Sequence, residues 1–298
     1  MTIPPHSRLR RVTALLGALA LLGLCGWLLR FPAAALQRAE TAAGLIQPPA
    51  PMERQDALGR QLSFLVLGGL RSLTAELLCT DATDAWLSRD WPRSLQRWRQ
   101  ITALAPRRVN YWMRASRDLA RNAVADTNTR TDLPRPEQAR LADSYLAAGE
   151  QFLLDGIAEN PQSPLLYLEL GAFYENPARR PQFAKAAEAY ARALELGAPQ
   201  MYRRWVFYNL CRIRGREQEA WELGRQIYAV PNARTPSVRC LLFVLQNKLS
   251  LPQEQRISVE ELFGSTAKAR RDLSGFLHND LRFPTTGVAD FLELTRGN

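Results

Sequence analysis

Ser163 to Tyr174 read SPLLYLELGAFY, and Glu175 to Pro199 continue ENPARRPQFAKAAEAYARALELGAP. In the first stretch Tyr167, Leu170, Gly171 and Tyr174 fall at i, i+3, i+4 and i+7, one face of a helix. In the second, Ala186, Tyr190 and Ala193 repeat that spacing. The small residues Gly171 and Ala186 let two helix backbones approach closely. Tyr167, Tyr174 and Tyr190 then fill the space around the crossing. The stretch therefore predicts a helical hairpin whose first helix turns back near Asn176.

The same phase extends in both directions. Tyr167 lies six residues after Pro161, Trp112 six after Pro106, and Trp205 six after Pro199. Upstream, Leu77 to Pro106 read as a degenerate unit, with Asp90 and Trp91 at the turn, Ser94 in the small place and Trp98 as the second-helix aromatic. Downstream, Tyr202–Arg214 and Gln218–Val230 form another pair, with Gly215 at the turn and Ala220 in the small place. Val238–Leu249 is a further helix. Between Pro106 and Pro161 the unit is long. A first helix to about Val124 is followed by a polar, Pro-containing stretch, Asp126 to Gln138, read as an insertion or as extended helices, and then by a helix over Glu137–Ala158. Helical periodicity runs from Gln61 to Leu251 and no segment alternates with period two, so the fold class is all-α.

Aromatic, Leu, Gly, Tyr followed by Ala, aromatic, Ala resembles the tetratricopeptide repeat, a two-helix motif of about 34 residues. From Leu62 to Val230 the chain also resembles bacterial proteins that carry one N-terminal membrane anchor and divergent repeats of this kind. The resemblance implies an α-solenoid that binds partners in a groove lined by its first helices. Transferred to this sequence, the groove positions are Met113, Arg117 and Arg121, then Leu168, Ala172 and Asn176, then Val206, Leu210 and Arg214. Such a surface is apolar with basic ends, suited to a protein or peptide partner bearing acidic and apolar residues. The implied role is a non-enzymatic scaffold or adaptor of the cell envelope. The alternative is an enzyme, or its accessory subunit, acting on cell-wall or surface polymers.

Val12 to Leu29 are 18 uncharged, mostly apolar residues, about 27 Å as a helix and close to the hydrocarbon thickness of a bilayer. Arg8, Arg10 and Arg11 precede them and keep that end cytoplasmic. The expectation is a single-pass protein of a bacterial inner membrane with its C-terminal domain in the periplasm. Ala33-Ala34-Ala35 offers a signal-peptidase site as an alternative, but the apolar run is long for a signal peptide and Arg30 interrupts it. Leu24 before Cys25 disfavours lipidation. The parts are then a stub and anchor (1–30), a linker ending in Gln47-Pro-Pro-Ala-Pro51 (31–51), the helical domain (52–251) and a C-terminal cap or tail (252–298). Leu62–Leu73 is read as a helix packing on the domain's N-terminal end.

The net charge is +10 with a pI near 9.9, yet the 36 Arg and three Lys are spread among 29 acids with no dense basic arm, and nucleic acid is not an expected partner. The chain contains no CxxC, HExxH, GxGxxG, Walker or GxSxG pattern, so no metal or cofactor is expected. The two histidines, His6 and His278, stand far apart, which leaves no clustered acid–base site. The tryptophans coincide mostly with inter-helix packing positions. Cys79, Cys211 and Cys240 are read as buried thiols, with a Cys211–Cys240 disulfide as the alternative in an oxidising compartment.

Overall fold

The computed structural model describes residues 73–176, 180–278 and 283–295. The expected anchor, the linker and the Leu62–Leu73 helix up to Ser72 lie outside these residues. Among the described residues all regular structure is helical, and no helix is long and apolar enough to cross a membrane. The packing divides the chain into two compact units at Ser163 and Pro164.

In the first unit, α1 (73–87) is followed by α2 (Trp91–Leu104), α3 (Val109–Arg117), a π-helical segment (Asp118–Ala123), α4 (Val124–Thr129) and α5 (Arg135–Glu159). The Asp90 side chain caps α2 by accepting from the Arg93 amide at 3.2 Å, with Pro92 in the first turn where no N–H is needed. Trp98 and Ser94 are fully buried, in keeping with their expected places. The helical path from Val109 to Thr129 is unbroken, and α5 runs antiparallel along it. Asp126–Gln138 is therefore mostly helix rather than an inserted loop. Only 130–134 connect the helices, and Thr127 and Gln138 are buried. Gln138 explains the tightness of the turn: its Nε2 donates to the carbonyls of Leu133, at 3.0 Å, and Arg130.

The offset of six between Pro106 and Trp112 has a direct cause. The Trp112 indole N–H donates to the Pro106 carbonyl at 2.8 Å, and Asn160 Nδ2 donates to the same oxygen at 2.8 Å. One carbonyl thus ties the start of α3 to the end of α5.

The second unit comprises α6 (Pro164–Glu175), α7 (Phe183–Glu195), α8 (Arg203–Leu210), α9 (Glu217–Tyr228), α10 (Pro236–Lys248), α11 (Val259–Phe263), α12 (Thr266–Leu277) and α13 (Val288–Leu294). Each helix from α6 to α10 packs on the next. Gly197, at φ +90°, ends α7, and the amide of Ala198 returns to the Ala193 carbonyl at 2.9 Å. The helix expected at Val238–Leu249 is α10, and it is buried on nearly every side: Val238 and all residues from Cys240 to Gln246 are buried. The stretch after 251 supplies the cover. α11 and α12 pack on α10, and Phe291 of α13 meets Phe243 at 5.3 Å between ring centroids. Gln246, inside this core, donates Nε2 to the Ile257 carbonyl (3.3 Å) and accepts from the Ile257 amide (3.1 Å).

Three helix pairs share one packing device, a glycine on one helix against an aromatic on the other. A Cβ on Gly156 would stand 2.8 Å from Trp112 Cβ and Cγ. One on Gly171 would stand 2.9 Å from the Tyr190 ring, and one on Gly224 2.6 Å from Phe207. These separations are too short for real carbon atoms. The ring of Tyr190 cannot swing away freely, because its hydroxyl donates to Glu175 Oε1 at 2.8 Å. Gly275 of α12, by contrast, has nothing within 4 Å of an added Cβ. Gly171→Ala is therefore expected to lower the thermal midpoint although alanine is the better helix former by about 1 kcal/mol. Gly275→Ala should raise the midpoint through that same preference. A raised midpoint for Gly171→Ala would show that the crossing is not close enough to require glycine.

Candidate partner-binding surface

The nine groove positions named from the sequence fall in both units. In the first, Met113 is half-buried while Arg117 and Arg121 are exposed on either side of Asp118. Residues 73–163 hold twelve arginines and twelve carboxylates, so this described stretch has no net charge. Any attraction for an acidic partner there is local to α3 and the π segment.

Asp118 is the buried member of that stretch. Its carboxylate accepts from the Trp98 indole at 3.0 Å and from Asn122 at 3.3 Å. Arg114 lies over the Trp98 ring, 5.3 Å from its centroid, and donates to Thr83 Oγ1 at 2.9 Å. Burial pushes the Asp118 carboxyl above the usual range, against the lowering by Trp98, Arg114 and Asn122. A carboxylate whose folded pKa is raised costs stability once ionised. Its full stability is present below the unfolded value, about 3.9, and is lost as the pH rises through the folded value. Asp118→Asn keeps an oxygen to accept from Trp98 and removes the buried charge. The variant should melt higher at neutral pH, and its melting temperature relative to wild type should fall on acidification toward pH 4. A parallel pH dependence in both proteins would refute this.

In the second unit Leu168 and Asn176 are half-buried and Ala172 is exposed on α6; Val206 is half-buried and Arg214 exposed at α8 and the turn after it. Leu210 does not face a groove. It is 2% exposed and sits in the core with Phe207 and Cys211. The stripe Phe207, Leu210, Cys211 is the apolar face of α8, and it is turned inward because Gly224 receives Phe207 there.

Another face of α8, continued in the turn after it, carries Trp205, Tyr208, Asn209 and Arg212. Glu175 accepts from Tyr190 Oη through Oε1 and from Asn209 Nδ2 through Oε2, both at 2.8 Å. Asn209 Nδ2 also donates to the Trp205 carbonyl at 2.8 Å. The Arg212 guanidinium lies over two rings, 3.7 Å from the centroid of Phe283 and 5.0 Å from that of Phe183. Burial lowers the Arg212 pKa while the charge of Glu175 opposes the shift. Burial raises the Tyr190 phenol, and Glu175 adds to the rise. Half-buried aromatics continue the face: Tyr202 and Trp205 are 5.2 Å apart, Trp205 and Tyr208 6.3 Å, and Tyr208 meets Phe283 edge-on at 5.9 Å.

Glu175, Asn209 and Arg212 were not picked out by sequence reasoning. The signal was present. Asn209 holds the place in the phase of Trp205 that Gly171 holds in the phase of Tyr167, and Arg212 holds the place of Tyr174. Polar residues in a small and an aromatic place marked this helix as differently built.

The remaining chemistry-bearing residues lie mostly in the core or at helix ends. Trp91, Trp98, Trp112 and Trp221 are buried; Trp86 is exposed and Trp205 half-buried. Cys79, Cys211 and Cys240 are free, buried thiols, and burial raises all three, Cys240 to about 12. His278 is exposed at the end of α12 with Nδ1 2.7 Å from the Ser274 carbonyl oxygen, a helix-end contact. Among the described residues no group of three or more His, Cys, Asp or Glu could hold a metal ion. The chain matches no protein-family model, no curated protein and no solved structure.

Proposed function

We propose that the chain is a non-catalytic adaptor of a bacterial cell envelope: a divergent tetratricopeptide-like solenoid held at the membrane by Val12–Leu29, with its helical domain outside the cytoplasm. It binds protein or peptide partners on its first-helix faces. The observation that carries this reading is that Arg117, Arg121 and Arg214 are exposed while the apolar positions Met113 and Val206 in the same stretches are half-buried. Arginines so placed can hold carboxylates in a bidentate way. The helical pairs support the repeat reading, and the arginines ahead of the apolar run support the topology.

Charge reversal of all three, Arg117→Glu with Arg121→Glu and Arg214→Glu, should abolish capture of partners from cross-linked membranes. The fold should stay intact, since exposed substitutions move stability by about 0.5 kcal/mol or less each. Capture by the wild type should weaken with salt, because exposed charges are screened over about 8 Å at physiological ionic strength. A control reverses Arg135, Arg140 and Arg271, which are exposed on α5 and α12. Equal loss in the control would attribute capture to net charge and sink the assignment of these faces.

A further inference from the structure

The extended segment that enters α13 is seated on the α8 face. Phe283 to Thr285 have no regular structure, and Phe283 touches three side chains there or beside it. Its ring covers Arg212 at 3.7 Å, meets Tyr208 edge-on at 5.9 Å and stacks on Phe276 at 5.8 Å with an interplanar angle of 22°. Val288 and Phe291 anchor α13 in the core, so Phe283 is held there by a short tether. Beyond it the strip of Tyr208, Trp205 and Tyr202 continues, half-buried.

The recognition element is already built. The planar guanidinium of Arg212 lies over the rings of Phe283 and Phe183. Glu175 is fixed by Tyr190 and Asn209. The Phe283 ring fills a flat cationic face of Arg212, as an aromatic side chain can.

We propose that the α8 face is a docking site for an extended partner peptide that presents an aromatic side chain to Arg212, and that Phe283 occupies this place until such a peptide displaces it. This rests on the adaptor reading and gives one of its surfaces a partner chemistry distinct from the acidic one assigned to Arg117, Arg121 and Arg214.

The probe is a peptide with the sequence Phe283 to Gly287, its phenylalanine carrying a para-fluorine, titrated into the full chain in detergent and followed by fluorine NMR. A tethered segment competes at an effective concentration on the order of millimolar. The probe should therefore bind Phe283→Ala at least about tenfold more tightly than wild type. Adding Arg212→Lys to Phe283→Ala keeps the charge and removes the planar face, and should abolish binding. A probe with alanine in place of phenylalanine should bind none of the variants. The triple reversal of Arg117, Arg121 and Arg214 should leave probe binding unchanged, which separates this site from the charged one. Thermal melts establish that each variant is folded; if Arg212→Lys is not, Tyr208→Ala, which removes the edge contact, replaces it. Equal binding to wild type and Phe283→Ala, binding indifferent to the Arg212 or Tyr208 change, or no binding to any folded variant at millimolar probe would each overturn the proposal.

Discussion

Everything in this fold rests on how closely two helix axes can be brought together. An aromatic ring wedged between helices normally holds them apart. A glycine opposite the ring removes that obstacle, and the ring then packs directly on backbone. Gly156 with Trp112, Gly171 with Tyr190 and Gly224 with Phe207 are three cases. The rings gain a floor with no side-chain entropy to lose, and their polar atoms are free to bond elsewhere. Trp112 uses its N–H to reach Pro106, and Tyr190 uses its hydroxyl to reach Glu175. Close packing and the polar contacts at the ends of these helices are thus one arrangement.

That constraint also explains what could be read from the sequence. Tyr167, Gly171, Ala186 and Tyr190 were legible because glycine and ring sit at fixed spacings within one hairpin. Gly156 and Gly224 were not, because there the glycine lies on the second helix and the aromatic on the first. The same contact is made with the roles exchanged, and a pattern of positions cannot show it. The exchange turns Phe207 and Leu210 inward, which is why the phase of Trp205 put Leu210 on the wrong face. The Asp126–Gln138 stretch left insertion and extended helices both open for another reason. Thr, Asn and Pro lower local helix preference, but α5 and the bonds of Gln138 supply the tertiary contacts that outweigh it. The π segment could not be read at all, since one extra residue in a turn leaves composition and periodicity almost unchanged.

Arginine does several different jobs here. Asp81 meets Arg93 and Arg97 at the surface, where the pairing adds little stability. Arg212 is half-buried and works as a plane as much as a charge, lying over two aromatic rings. Arg256 donates to the Leu251 carbonyl at 2.7 Å and to Asn247 at 3.2 Å, closing the loop that leads into the C-terminal helices. A count of basic residues assigns all of these to one total, and only the surroundings separate them.

Gln246 gives that loop one more property. By donating to the carbonyl and accepting from the amide of a single residue, Ile257, its side chain takes the part that a neighbouring strand would take in a sheet. The loop therefore has a register although it has no strand, and the register is written in α10. A residue added or removed between Leu251 and Ile257 would bring a different peptide group to Gln246, much as a slipped strand meets the wrong partner. The length of this stretch is fixed by hydrogen bonding, and its tolerance to insertion should be that of a core element despite its exposed side chains.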